Sequence, residues 1–172
     1  KQGGFEIYVE GSDIGMPLWN ALMEAGKRFD VHAGCPNLIE RIEGGLFSYG
    51  NEMTRENNPL EYDMAKFLKL DGSVDFVGLK ALQKIAEQGV SREIRGVVFD
   101  GDKAPTCSTP WPVMVGGRQV GQVTSGVWSP RLKANVGVSL IDRDFWEVGQ
   151  KVSVHTPDGS ARDGRVTKFP IE

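Results

Sequence analysis

The chain has 172 residues, of which 40% are hydrophobic and 25% are charged, and this composition is typical of a globular protein rather than a disordered or fibrous one. Its formal net charge of −3 gives no reason to expect nucleic acid or an anionic membrane as a partner. No apolar run approaches the roughly 18 residues of a transmembrane helix. Cys35 and Cys107 are far apart and lack a CxxC or histidine partner, so we expect no metal site and a cytoplasmic location.

The first predicted element is a strand over residues 3–11, which glycines bracket at both ends. Apolar and polar side chains alternate with the period of two that a strand requires. The apolar face is formed by Phe5, Ile7 and Val9, and the polar face by Glu6, Tyr8 and Glu10. Two interpretations follow from this pattern: a half-buried strand with a solvated polar face, or a wall that contacts a ligand.

Helices are predicted to follow this strand. Ser12 or Asp13 can cap a first helix that ends near Phe29, and we expect its apolar stripe to pack in a core. The stripe consists of Leu18, Leu22, Ala25 and Phe29, widened by Trp19 and Met23. A second helix, residues 37–43, follows Pro36 and stops at Gly44-Gly45.

The next segment is predicted to contain a surface loop, a strand and a helix. Residues 51–59 are polar and without periodicity, residues 65–70 alternate weakly, and residues 76–86 have helical spacing of apolar side chains. The order strand, helix, helix, strand, helix favours an α+β layer of the ferredoxin-like type over residues 1–91.

The composition changes at about Ser91, after which valine, glycine, threonine and serine dominate. Gly116-Gly117 predicts a tight hairpin, and Pro157-Asp158-Gly159 predicts a second turn. Strands are predicted at residues 95–99, 112–115, 119–124, 135–141, 150–155 and 165–168. Short strands at this spacing indicate a small antiparallel barrel or sandwich. The predicted fold class is therefore α+β, with a partial α+β layer over residues 1–91 and a small antiparallel β-barrel over residues 92–172.

Four sequence blocks occur in one order along the chain. They are Gly4-Phe5-Glu6-Ile7-Tyr8-Val9; Arg41-Ile42-Glu43-Gly44-Gly45 with Tyr49-Gly50-Asn51; Pro59-Leu60-Glu61 leading to Asp75-Phe76-Val77-Gly78; and Val123-Thr124-Ser125-Gly126-Val127-Trp128-Ser129-Pro130. Together they resemble the folate-dependent aminomethyltransferase family, whose founding member is the T protein of the glycine cleavage system. The resemblance implies tetrahydrofolate as the one-carbon acceptor. It also implies that the chain is the C-terminal half of a longer protein, with the missing N-terminal half of the same protein as a partner.

The resemblance implies a folate-binding role for the polar face of the first strand. The family glutamate that holds the pterin ring matches Glu6, and a carboxylate suits the N–H and amino edge of a pterin. Tyr8 lies on the same face, where it could stack on the ligand or hydrogen-bond to it. Glu10 matches no family motif, and we interpret it as a solvated charge.

Three positions depart from the glycine-cleavage pattern. Asn37, or no residue, stands where the family has an arginine that contacts folate, Lys66 where it often has a tryptophan, and Cys107 where it has an arginine. Arg41 matches a second, structural arginine. An arginine-to-asparagine exchange removes a fixed charge and a bidentate donor, so it is not conservative. We therefore keep Asn37 and Lys66 as candidates for folate contact. The departures also argue against glycine cleavage as the reaction.

The block Ala33-Gly34-Cys35-Pro36-Asn37-Leu38-Ile39-Glu40-Arg41, with the first strand, most resembles the branch of the family that demethylates dimethylsulfoniopropionate. In that branch a small-molecule sulfonium gives its methyl group to N5 of tetrahydrofolate. Trp128 is a further candidate, through cation–π attraction to the sulfonium, although a core or interdomain role also fits it. No residue can be named as a general acid or base, and the oligomeric state cannot be predicted. The alternatives are glycine-cleavage aminomethyl transfer and a folate-binding module without activity.

Overall fold

The computed structural model describes residues 4–34 and 37–172. The chain divides into two compact units, Lys1–Pro36 and Asn37–Glu172. Within the described ranges, no helix is both long and apolar enough to span a membrane.

The first unit is built on one helix, α1 (Gly15–Gly26), between short 3-10 turns at Ser12–Ile14 and Lys27–Phe29. The predicted first helix is thus confirmed, and Pro17 lies in its first turn, where a missing N–H costs no intrahelical bond. The predicted cap is not formed, because the residue at the N-cap of α1 is Ile14 and no side chain accepts a hydrogen bond there. Asp30, in the left-handed conformation with φ 55°, ends the second turn.

The predicted first strand is wrong for the residues that the structure describes. Residues 4–9 form no strand, and the Phe5 side chain is 99% exposed. A strand is stable only when a neighbour pairs with its backbone, and the strands described in this chain pair with one another in a closed barrel. Pro36 and Gly3 lie outside the described residues.

The apolar stripe of α1 does not form the core that we expected in this unit. Trp19 and Leu22 are each 46% exposed, and Phe29 is 68% exposed. Leu18 and Met23 are half-buried. A unit of this length is too small to enclose a core by itself, which accounts for the exposed stripe.

The second unit begins with α2 (Leu38–Gly44), which confirms the second predicted helix. Asn37 is its N-cap, and the Asn37 side chain accepts a hydrogen bond of 2.9 Å from the Ile39 N–H. Gly45 ends the helix in the left-handed conformation with φ 69°. A third helix, α3 (Leu79–Gln88), confirms the prediction for residues 76–86 within a few residues.

The predicted strand over residues 65–70 is also wrong. Ala65–Phe67 forms a 3-10 turn, and the Phe67 ring is 75% exposed. The weak alternation had no neighbouring strand to pair with, so the local turn preference prevails. Residues 51–59 are turns and irregular structure, as predicted, although Glu52 within them is buried.

The rest of the second unit is a closed antiparallel barrel of six strands in the order β1-β4-β3-β2-β5-β6. The strands are β1 (Arg92–Phe99), β2 (Trp111–Val115), β3 (Arg118–Ser129), β4 (Ala134–Asp142), β5 (Lys151–His155) and β6 (Ala161–Thr167). Gly116 and Gly117 both have positive φ, 56° and 82°, as a two-residue type I′ hairpin requires. The mixed α+β fold with a small antiparallel barrel is therefore confirmed. All the strands of the described residues lie in the barrel, and the strands predicted before residue 91 are not among them.

Two apolar clusters stabilise this unit. One fills the barrel and includes Val97, Phe99, Trp111, Val123, Ile141 and Val166. The other lies on the outer surface of the barrel under α2 and includes Ile42, Tyr62, Ile94, Val98, Val136, Val138 and Ile171. The second cluster contains residues from both sides of Ser91, and the domain boundary near Ser91 stays a prediction.

Candidate functional site

The structure brings together the two candidates of the first unit. The Tyr8 hydroxyl donates a hydrogen bond to the Glu6 carboxylate, and both side chains are exposed. This hydrogen bond raises the pKa of Tyr8. A carboxylate and a phenol therefore stand side by side at the surface, which is the combination that the sequence predicts for one polar face.

Asn37 has a structural role that accounts for its identity. Its side-chain oxygen satisfies the Ile39 N–H, one of the backbone donors that the start of a helix leaves unpaired. The remaining amide group of the side chain is a neutral donor. A guanidinium at this position could not accept that hydrogen bond, so the exchange from arginine changes both the charge and the helix cap.

Lys66 and Cys107 occupy different surroundings in the second unit. Lys66 lies in the exposed 3-10 turn, with its Nζ 5.3 Å from the centroid of the Phe67 ring. The Cys107 thiol is half-buried beside the barrel core, 3.5 Å from the Thr109 carbonyl oxygen. Burial, with a smaller contribution from the Glu52 charge, raises the pKa of Cys107 to about 11. The side chain at position 107 is therefore a neutral thiol at physiological pH.

Trp128 lies on the face of β3 that points into the barrel. It shares this face with Gly126, where an added Cβ would lie 2.7 Å from the Trp111 ring. The side chains of Ser125 and Ser129 lie on the opposite face, where each hydrogen-bonds to a residue of α2. Ser125 accepts from Arg41, and Ser129 donates to Glu43. The structure therefore places Trp128 and the helix that carries Asn37 on opposite faces of β3.

Sequence reasoning missed a buried polar cluster between α2 and β3, formed by Arg41, Glu52 and Ser125. The Glu52 side chain is 0% exposed and accepts hydrogen bonds from Arg41 Nη1 at 3.1 Å and from Ser125 Oγ. Arg41 Nη2 donates to Ser125 Oγ at 2.8 Å. Residue 52 lies in a polar segment without periodicity, so no pattern indicated that its side chain is buried. The one sequence signal near it was the family-like block Tyr49-Gly50-Asn51.

A second polar cluster joins the other end of α2 to the same strand and consists of Glu43, Ser129 and Arg131. Arg131 Nε donates to Glu43 at 2.9 Å, and the Ser129 hydroxyl donates to the other carboxylate oxygen. Burial alone would raise the pKa of Glu43, but the hydrogen bonds from Ser129 and Arg131 outweigh it and lower the pKa. The buried Ile42 side chain, between Arg41 and Glu43 in sequence, packs into the outer apolar cluster.

Two family models match the chain. Residues 92–171 match the glycine cleavage T-protein C-terminal barrel domain, and residues 1–72 match the GCVT N-terminal domain. Among solved structures, the glycine cleavage system aminomethyltransferase T from Bartonella henselae aligns with a TM-score of 0.64 at 23% identity, over 76% of this chain and 36% of that chain. This likeness supports the fold.

Two curated relatives are similar over nearly the whole chain. Dimethylsulfoniopropionate demethylase DmdA of Ruegeria pomeroyi is 52% identical over 159 residues, which is 92% of this chain and 43% of that protein. An aminomethyltransferase of Symbiobacterium thermophilum is 37% identical over 173 residues, which is 99% of this chain and 45% of that protein. The chain thus spans less than half the length of these relatives.

Proposed function

We propose that this chain, which belongs to the glycine cleavage T-protein family, is part of a tetrahydrofolate-dependent methyltransferase that acts on dimethylsulfoniopropionate. A methyl group leaves the sulfonium and bonds to N5 of tetrahydrofolate, and the sulfur keeps the electron pair. The products are methylmercaptopropionate and 5-methyltetrahydrofolate.

One observation carries this choice of donor. The identity to the Ruegeria pomeroyi demethylase is 52%, against 37% to the Symbiobacterium thermophilum aminomethyltransferase. The name of the first relative identifies a sulfonium substrate, and the second carries out the family's aminomethyl transfer. The relatives differ in donor rather than in the folate acceptor that the resemblance implies for both.

Local charge supports the same choice. The resemblance implies arginines at positions 37 and 107, whereas this chain has a neutral amide and a neutral thiol there. Two guanidinium groups are lost and the Lys66 ammonium is gained where the family often has a tryptophan, so these three positions together carry one positive charge fewer. A cationic donor is better tolerated where fewer like charges face it.

The proposed roles of the site residues follow from their chemistry. Glu6 accepts from the donor edge of the pterin, and Tyr8 orients that carboxylate while offering its ring for stacking. The Asn37 amide and the exposed Lys66 ammonium contact the folate, with Lys66 suited to its glutamate carboxylates. Trp128 remains a proposed contact of the sulfonium, on the face of β3 opposite α2. The sulfonium leaves as a neutral thioether, so positioning is needed but no strong acid.

The second candidate function is the aminomethyl transfer of glycine cleavage, which the matched family models favour. One experiment separates the two. The full-length protein is incubated with tetrahydrofolate and either dimethylsulfoniopropionate or aminomethyl-lipoyl carrier protein, and the folate products are separated. We expect 5-methyltetrahydrofolate from the sulfonium and no methylenetetrahydrofolate from the carrier protein; the reverse pair would assign the chain to glycine cleavage. Folate binding without turnover of either donor would indicate a binding module.

A further inference from the structure

We propose that Glu52 is a positioning residue, which fixes α2 on the barrel so that Asn37 is presented to the folate. The inference rests on the proposed function, because it takes Asn37 as a ligand contact. Glu52 itself touches no ligand in this account; it acts through Arg41 and the helix.

Glu52 is the centre of the cluster that joins three separate segments. Its carboxylate accepts from Arg41 on α2, from Ser125 on β3, and from its own loop through the Ser48 N–H at 2.6 Å. Its backbone carbonyl accepts from the Tyr62 hydroxyl. Arg41 Nη1 also donates to the Leu46 carbonyl at 2.9 Å, so the loop, the helix and the strand are tied at one point.

Net stability alone does not account for a fully buried carboxylate at this point. Burying a carboxylate and a guanidinium costs desolvation that their attraction repays only with good geometry, and apolar replacements are often as stable. What a directional cluster does provide is a single arrangement of the groups that it joins. Arg41 can meet Glu52, Ser125 and Leu46 at the same time in one placement of α2.

That placement controls the position of Asn37. Asn37 precedes Arg41 by four residues, which is about one helical turn, or roughly 6 Å along the axis. Arg41 lies about one turn from Asn37, whereas Glu43 lies at the opposite end of α2. We expect a shift at Arg41 to displace the Asn37 amide.

The cluster also lies close to the other substituted arginine position. The Cys107 thiol lies 3.9 Å from the carbonyl oxygen of Val123, which is two residues before Ser125 on β3. Two of the three positions at which this chain departs from the glycine-cleavage pattern thus lie near this cluster, Asn37 near Arg41 on α2 and Cys107 near Ser125 on β3. Arg41 is the cation that directly pairs with Glu52 within the described residues.

The test compares Glu52→Gln with Glu43→Gln in the full-length protein. Both variants neutralise a carboxylate that joins α2 to a serine on the same face of β3. We measure thermal stability, and then tetrahydrofolate affinity by titration calorimetry at a temperature where all variants are folded. Both variants should lower the melting temperature, but Glu52→Gln should weaken folate binding about ten- to a hundredfold, as a displaced contact does, while Glu43→Gln leaves it within about twofold. Equal affinities for the two variants would overturn the proposal.

A double-mutant cycle tests whether Glu52 acts through Asn37. Asn37→Ser keeps a helix cap and changes the side chain that faces the ligand. If Glu52 positions Asn37, the Asn37→Ser/Glu52→Gln protein should bind folate no more weakly than Asn37→Ser alone. Losses that multiply, or an Asn37→Ser protein with wild-type affinity, would contradict the proposal.

Two smaller substitutions test the same proposal if the Glu52→Gln protein does not fold. Ser125→Ala removes a hydroxyl from the Glu52 cluster without leaving Arg41 unpaired, and Ser129→Ala is its matched control in the Glu43 cluster. Only Ser125→Ala should weaken folate binding; an equal effect of both would overturn the proposal. Because the titration contains tetrahydrofolate and no methyl donor, a wrong sulfonium assignment would appear in the donor assay and not here.

Discussion

The barrel and the first unit contain the same kinds of apolar side chain in opposite environments. In the barrel, Trp111 is 1% exposed and Phe99 is 0% exposed, whereas Trp19 of α1 is 46% exposed and Phe5 is 99% exposed. Local hydrophobic pattern is strong in both regions. Burial therefore depends on whether the chain itself supplies the neighbouring element.

The barrel supplies all its own neighbours. Each of its strands pairs with two others, and closure leaves no free edge. The first unit has one helix and an alternating segment, with no described strand of its own to pair with that segment. Stability should consequently reside in the barrel, and ligand contact can reside in the exposed segment without a stability cost.

The largest expected effect is the loss of the barrel's central aromatic side chain. Trp111→Ala should reduce the free energy of unfolding by about 3–5 kcal/mol, because it removes a fully buried side chain and leaves a cavity. The matched change Trp19→Ala should cost less than about 0.5 kcal/mol in this chain. Urea unfolding of the two variants measures both values. A Trp19→Ala cost as large as that of Trp111→Ala would mean that the first unit has a core of its own.

The next effect concerns ligand binding from the exposed segment. In the full-length protein, Glu6→Ala should weaken tetrahydrofolate binding by about 1.5–3 kcal/mol, since a charged acceptor is lost. The melting temperature should not change, because the side chain is exposed. Glu10→Ala, on a nearby exposed residue, is the control and should leave the affinity unchanged. Unchanged affinity in Glu6→Ala would remove Glu6 from the site.

A smaller effect tests packing in the two regions with one methyl group. Gly126→Ala should cost about 1–3 kcal/mol, because the new Cβ would lie 2.7 Å from the Trp111 ring. Gly15→Ala, at the start of α1, meets nothing within 4 Å and should be neutral or slightly stabilising. Thermal unfolding of both variants is the measurement. A neutral Gly126→Ala would show that the barrel interior is looser than described.

The smallest effect is chemical rather than energetic. With a pKa of about 11, only about one Cys107 side chain in a thousand is a thiolate at pH 8, so alkylation should be slow. The variant Cys35→Ser removes the other cysteine of this chain, so that alkylation of Cys107 can be followed. The alkylation rate of Cys107 should rise as the pH approaches 11, and it should increase sharply when the protein is unfolded in urea. Alkylation at pH 8 as fast in the folded as in the unfolded protein would contradict the burial of the thiol.

The barrel could be predicted from the sequence because its signals are local. The Gly116-Gly117 turn, the valine-rich alternation and the regular spacing each indicate short antiparallel strands, and the structure confirms them. The strands predicted over residues 3–11 and 65–70 failed for the opposite reason. Alternation fixes which side chains share a face, but pairing needs a partner that the pattern does not contain.

The candidate site could be predicted in part. Periodicity placed Glu6 and Tyr8 on one face, and the structure joins them by a hydrogen bond. Their contact with folate came from the family resemblance and stays a prediction. The cap made by Asn37 could have been read from its place just before the helix. Glu52 could not, because its burial results from contacts with Arg41 and Ser125, which are distant in sequence.

The most direct test of the account follows the methyl group itself. The full-length protein is mixed with tetrahydrofolate and dimethylsulfoniopropionate that carries ¹³C in its S-methyl groups, and the products are observed by NMR. We expect labelled 5-methyltetrahydrofolate in an amount equal to the methylmercaptopropionate formed. Methylmercaptopropionate without labelled folate, or no reaction of the sulfonium by a protein that binds folate, would contradict it.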